Sequence, residues 1–184
     1  MISLKNLILE ATEGPKLIIM AGGSGAGKTY LLNQLSLDSL PLVNPDKFIE
    51  DPDHPAYGKL NPGTTAANKE AEEFVNQKRT FVWDTTASNP TKVEDIISKG
   101  YSVYMIMVYA HPMQAYISNF FRDSDRNVPA SAVFQTWRNV YSLIEKYIKL
   151  TKGNFSLFVN IFLASDTVVN GESEGSYKGL YTSG

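Results

Sequence analysis

Residues 22–29 read Gly-Gly-Ser-Gly-Ala-Gly-Lys-Thr, the full G-x-x-x-x-G-K-[ST] phosphate-loop pattern, set between an apolar run at 16–20 and a helical pattern. Strand, loop and helix in that order form the unit from which parallel α/β sheets are built, so the motif constrains the fold as well as the ligand. Such a loop turns backbone N–H groups toward a polyphosphate and adds the positive end of the helix. Gly22, Gly23, Gly25 and Gly27 let the backbone approach phosphate oxygens with no side chain between, while Ser24 and Ala26 fill the intervening positions. Lys28 is placed to reach the β- and γ-phosphates. Thr29 is placed to offer a hydroxyl to Mg²⁺, an ion that keeps most of its waters and takes few protein ligands. The pattern predicts a bound nucleoside triphosphate.

At 184 residues the chain suffices for one domain with a sizeable core. A net charge of -2 and a pI near 5.7 exclude a general basic field for nucleic acid or anionic membrane, though not a local basic patch. There is no cysteine, which excludes disulfides and thiolate metal sites. The apolar runs are strand-length and no signal-peptide pattern opens the chain, so a soluble cytoplasmic protein without a membrane partner is expected.

Apolar spacing predicts a helix over 2–11, a crossover helix carrying Leu31, Leu32 and Leu35, and a short strand over 41–44. Residues 50–64, rich in Pro, Asp and Gly, read as a loop, and a helix is expected from about 65 to 78. A strand over 80–83 ends in Asp84-Thr85-Thr86. Thr91 and Glu94 form a capping box for a helix that Gly100 ends. A strand over 101–109 follows, then a helix with Met113, Tyr116, Ile117, Phe120 and Phe121. After a polar break at 122–129, one long helix buries Val133, Trp137, Val140, Tyr141, Ile144 and Ile148, and residues 155–163 offer a fifth strand. This alternation predicts a mostly parallel five-stranded sheet covered on both faces. Residues 165–184 hold eight Gly or Ser in twenty and read as a flexible tail or edge hairpin outside a domain spanning 1–164.

In an open parallel sheet, ligands sit beyond the carboxyl ends of the strands, which directs attention to Asp46, Asp84 and His111. Asp46 has two readings, a general base for an attacking hydroxyl or a turn former in Asn-Pro-Asp, and the adjacent triphosphate site favours the base. Asp84 is placed to hold a Mg²⁺ water or to orient Lys28 and Thr29, with an Asx turn as the alternative. His111 and His54 read as ordinary loop residues. Arg122 and Arg126 flank a polar segment suited to a lid that closes on a transferring phosphoryl group, the alternative being pairing with Asp123 and Asp125. The helical lid is expected over about 122–130. The many aromatics fall at core spacing.

These residues resemble the P-loop kinase group that includes zeta toxins and phage-type 5′-hydroxyl polynucleotide kinases. The likeness spans about 17–150 and rests on residues 22–29, on Asn44-Pro45-Asp46, on Trp83-Asp84-Thr85-Thr86 and on the 122–129 segment. The resemblance implies a P-loop NTPase three-layer α/β sandwich and ATP-dependent, Mg²⁺-assisted transfer to a substrate hydroxyl. It places Asp46 as base and Lys28, Arg122 and Arg126 as charge-stabilising groups. The implied acceptor is nucleotide-type: a nucleotide, a nucleotide sugar or a nucleic-acid 5′ end. The competing reading is an ATPase switch or motor, which usually shows paired acids where this chain has Asp84-Thr85. No Asn-Lys-x-Asp sequence is present, which favours ATP over GTP. The acceptor's identity and the oligomeric state stay open at this level.

Overall fold

The computed structural model describes residues 4–10, 13–121, 128–161 and 176–183. Strands β1 (Lys16–Ala21), β2 (Leu42–Val43), β3 (Phe81–Thr85), β4 (Ser102–Ala110), β5 (Phe155–Ile161) and β6 (Ser176–Ser183) form one sheet ordered β2-β3-β1-β4-β5-β6. The first five pair in parallel, as the alternation of elements predicts. Helices are α1 (Leu4–Glu10), α2 (Lys28–Gln34), α3 (Asp46–Ile49), α4 (Leu60–Asn76), α5 (Pro90–Ser98), α6 (Pro112–Phe120), α7 (Ala130–Tyr141) and α8 (Ile144–Leu150).

β1 is central and buried along its whole length, because helices cover both faces of a parallel sheet. Successive side chains then point to opposite layers. Leu17, Ile19, Phe81, Trp83, Met105 and Met107 join one core with residues of α4, α5, α7 and α8. Ile18, Met20, Val82, Ile106 and Val108 join the other with Leu31, Leu32 and Ala115. The result is the expected three-layer sandwich.

Residues 165–184 have two readings, a flexible tail or an edge hairpin, and the described part lies at the sheet edge. Where Gly and Ser content predicts a flexible tail, Ser176–Ser183 pairs antiparallel with β5, from Phe155↔Ser183 to Ile161↔Ser176. The stretch also contains Tyr177, Tyr181 and Thr182, good strand formers, and without it β5 would present an open row of backbone groups.

Local boundaries shift for similar reasons. α4 begins at Leu60, so Pro62 and Gly63 lie inside its first turn rather than in a loop. Proline is tolerated there because the first N–H groups of a helix have no partner anyway. A Cβ on Gly63 would stand 2.3 Å from Ile49 Cγ1, so only glycine lets α4 lie against α3. The cap of α5 is Asn89, whose Oδ1 accepts from Thr91 N at 3.1 Å, and not the expected Thr91 box, because Pro90 occupies the first helical position. The single long helix divides into α7 and α8 around Ser142 and Leu143. On α6 the buried residues are the small Ala115 and Asn119, while Met113, Ile117, Phe120 and Phe121 are exposed.

Two tyrosines, Tyr147 buried and Tyr141 partly buried, tie helices to the sheet and to the segment after β3. Tyr147 of α8 donates to Ala87 O at 2.6 Å and so holds a residue whose φ of 53° lies in the left-handed region that side chains rarely adopt. Burial pushes its phenol up to about 12, and the charge of Glu94 adds to this. Burial likewise raises Tyr141 to about 12, opposed by hydrogen bonds from the backbone of Gly23 and Ala110. Both folded-state values lie above the ordinary one near 10, so the folded state favours the neutral phenols. Their contribution is complete below about pH 10 and is lost as pH rises toward 12. Urea unfolding followed from pH 8 to 12 should show stability falling across that window. Tyr147→Phe should be about 1–3 kcal/mol less stable at pH 8, where Ala87 loses its donor, and should show a shallower alkaline decline.

Candidate active site

The phosphate loop connects β1 to α2 at the carboxyl end of the central strand, where the topology places a ligand. Its backbone needs glycine at two points. Gly22 has φ 152° and a Cβ there would stand 2.6 Å from Val108 O. Gly25 has φ 75°, and a Cβ there would stand 2.2 Å from Ala115 O and 2.5 Å from Asn119 Nδ2. Gly25→Ala therefore meets a helix carbonyl that cannot swing away, on top of about 1–2 kcal/mol for the left-handed backbone. The expected outcome is loss of nucleotide binding together with a lower urea midpoint, read by calorimetric titration and denaturation.

Lys28 begins α2, and its ammonium donates to Gly22 O at 3.2 Å and Gly23 O at 3.4 Å. Asp84 lies in register with Met20, so β3 carries its carboxylate to the end of β1, 3.7 Å from Lys28 Nζ. Asp84 is 7% exposed, and a carboxylate so buried is costly unless paired. Its second oxygen accepts from Asn44 Nδ2 at 3.4 Å, and Asn44 Oδ1 in turn accepts from Asp46 N at 2.8 Å. Asn44 thus links the Lys28–Asp84 pair to Asp46, the first residue of α3 and half-buried. Thr29 follows Lys28 in α2 and is exposed.

Arg122 and Arg126 lie outside the described residues, as does most of the expected lid at 122–130. The helices on either side of that segment both reach the phosphate loop. From α6, Asn119 accepts from Ser24 Oγ at 2.7 Å. From α7, Trp137 Nε1 donates to Ala110 O at 2.9 Å, and Tyr141 OH donates to Val108 O at 2.6 Å. A Cβ on Gly23 would stand 3.8 Å from Trp137 Cα. From β5, Asn160 Nδ2 donates to Ala26 O at 3.1 Å, while its Oδ1 is buried with no hydrogen-bond partner among the described residues.

None of these ties from Asn119, Tyr141, Trp137 and Asn160 was legible in the sequence, because each spans a long stretch of chain. Asn44 had a signal, since it stands two residues before Asp46 in the Asn-Pro-Asp segment. His111 caps α6 through Nδ1, which accepts from Met113 N at 3.3 Å, and His54 Nδ1 accepts from Ala56 N at 3.1 Å. Both act as local turn and cap residues. The donor set fits a Mg²⁺-bound triphosphate: a glycine cradle that a Cβ would fill, one ammonium, one buried carboxylate and a helical threonine. No helix among the described residues is long and apolar enough to cross a membrane.

The Zeta toxin family profile matches residues 3–149. No curated protein matches the sequence. Among solved structures, the chain is similar to the AvrRxo1-ORF1:AvrRxo1-ORF2 complex with ATP, with TM-score 0.64, 15% identity, and coverage of 96% of this chain and 60% of that one. It is similar to the PezAT chromosomal toxin–antitoxin system of Streptococcus pneumoniae, with TM-score 0.54, 20% identity, and coverage of 81% and 69%. It is also similar to the Pnkp1/Rnl/Hen1 RNA repair complex, with TM-score 0.55, 17% identity, and coverage of 74% and 47%. The chain spans 60% of the length of the first of these, and at such identities the likeness is one of fold. The family match is broader in kind, because it runs through β1 to β4, the phosphate loop and both helices flanking residues 122–127. The chain therefore belongs to the Zeta toxin family.

Proposed function

We infer that the protein is a kinase that transfers the γ-phosphate of ATP to a hydroxyl of a nucleotide-type acceptor, whether a nucleotide, a nucleotide sugar or a nucleic-acid 5′ end. One observation carries this reading: Lys28 pairs with the Asp84 carboxylate, and Asn44 bonds both that carboxylate and the backbone N–H of Asp46, so the residue after β2 is tethered to the phosphate-binding lysine through β3. A module that only binds nucleotide needs Lys28 and the loop, whereas an acidic residue tethered at the same end of the sheet suits a hydroxyl nucleophile. In this reading residues 22–29 hold the triphosphate, and Thr29 and Asp84 hold Mg²⁺ directly or through its waters. When bound, Mg²⁺ neutralises phosphate charge. Asp46 takes the proton of the acceptor hydroxyl as its oxygen bonds to the γ-phosphorus and the bond to the β-phosphate bridge breaks. Lys28 stabilises the developing charge, and Arg122 and Arg126 are assigned the same part.

ATP is supported by the AvrRxo1 neighbour, whose structure contains it, and a nucleic-acid end by the RNA repair complex. A pI near 5.7 leans toward small acceptors. The test is transfer from γ-labelled ATP with Mg²⁺ to a panel of nucleosides, nucleotide sugars and 5′-hydroxyl oligonucleotides, with Lys28→Ala as control. Label on an acceptor supports the kinase and names its class. Free phosphate without labelled acceptor, rising when DNA or a protein partner is added, supports the ATPase switch instead.

A further inference from the structure

We propose that Asn119 is a positioning residue for nucleotide binding, holding the phosphate loop in its anion-receiving shape through Ser24 without touching the nucleotide itself. The inference rests on the reading of residues 22–29 as a triphosphate site.

Asn119 is 5% exposed and faces the loop from α6. Asparagine is a weak helix former, and burying its amide is unfavourable unless both ends are bonded, so an apolar residue would serve packing alone better. Here both ends are bonded. Nδ2 donates to Ala115 O, one turn back in the same helix, at 2.8 Å. That bond fixes the orientation of the amide, because the flipped form would set two carbonyl oxygens against each other. Oδ1 is therefore presented to Ser24, whose hydroxyl donates to it at 2.7 Å across 95 positions of sequence.

The contact is close. A Cβ on Gly25, the next residue, would lie 2.5 Å from Asn119 Nδ2 and 2.2 Å from Ala115 O, so α6 is seated directly on the loop. Ser24 is thereby fixed at the apex, between the left-handed backbone of Gly22 and that of Gly25. A loop with four glycines has much conformational freedom to lose when it wraps a phosphate. A side-chain tie at its apex removes part of that loss before the ligand arrives, as preorganisation does in general. Asn160 holds the following residue, Ala26, from the other flank. The helix that presents Asn119 ends at Phe120, immediately before the segment carrying Arg122.

The tie acts on ground state and transition state alike, so its loss should appear in affinity for nucleotide and in KM for ATP rather than in kcat. The experiment measures calorimetric Kd for Mg·ATP and Mg·ADP, KM and kcat for ATP and for the acceptor, and thermal midpoints. It uses the native chain, Ser24→Ala, Asn119→Leu, the double variant and Ser24→Thr. Ser24→Ala leaves the Asn119–Ala115 bond intact, so it is informative even if Asn119→Leu folds poorly. Expected is about three- to tenfold weaker nucleotide binding in each single variant, matching the loss of one hydrogen bond. The double variant should be no weaker than the singles, Ser24→Thr, which keeps the hydroxyl, should lose less affinity than Ser24→Ala, and the acceptor KM should not move. Native affinity in Ser24→Ala overturns the inference. So do additive losses in the double variant, or an equal loss in acceptor KM. If the native chain itself binds neither Mg·ATP nor Mg·ADP, the triphosphate site fails, and this inference with it.

Discussion

Asp46→Asn is expected to leave Mg·ATP affinity at its native value and to lower phosphoryl transfer by about 10²–10⁴-fold, the usual contribution of a positioned general base. The substitution is nearly isosteric and removes the negative charge and with it the ability to take a proton. The backbone at this position stays where it is, because Asp46 N donates to Asn44 Oδ1 at 2.8 Å and that bond does not involve the carboxylate. The loop is also undisturbed, since Lys28 faces Asp84 rather than Asp46. The distinction is therefore between binding and chemistry. Single-turnover transfer with saturating ATP reads the chemistry, and calorimetry reads the binding. Full transfer in the variant would remove Asp46 from the role of base and leave the Asn-Pro-Asp segment as a turn.

Lys28→Ala should show the opposite signature, with losses in both nucleotide affinity and turnover. Its ammonium is the group poised to meet the phosphate chain, and removal of one such charge-stabilising donor lowers kcat on the order of 10²–10³-fold. The side chain also has structural duties. It closes the loop on the carbonyls of Gly22 and Gly23 and stands beside the buried carboxylate of Asp84. Without it, the buried Asp84 carboxylate loses the ammonium beside it, which disfavours its charged form. Lys28→Arg should not restore activity, because a planar, wider fork cannot occupy a space shaped for a point charge. A thermal midpoint measured alongside separates loss of the site from loss of the fold. Native turnover in Lys28→Ala would overturn the assignment.

Parts of this architecture were legible in local patterns, for physical reasons. The phosphate loop could be read because its function requires a fixed backbone path, and that path requires glycines at fixed spacing. Strands β1, β3 and β4 could be read because a parallel strand covered on both faces must be apolar along its length. Asp46 and Asp84 could be singled out because topology sends ligands to strand ends. The failures also have causes. Pro62 and Gly63 looked like loop residues, but one is harmless in a first turn and the other is demanded by the contact with Ile49. The bulky residues of α6 suggested a core face, yet the close seat of that helix on Gly25 admits only Ala115 and Asn119.

The sequence alone determined the position of the phosphate loop and the class of the fold, because both depend on residue types at short spacing: Gly22 to Thr29 within eight positions, and strands alternating with helices. Only the tertiary structure decided what holds the loop and what stands beside it. The Lys28–Asp84 pair, the Asn44 bridge, the Ser24–Asn119 tie and the Asn160 contact join segments tens of residues apart. It also decided that Ser176–Ser183 completes the sheet, since strand pairing depends on an available edge and not on the composition of the strand that fills it. Local periodicity encodes which face of an element is buried. It carries no information on which distant polar group will be waiting there, and in this protein that is how the phosphate loop is held.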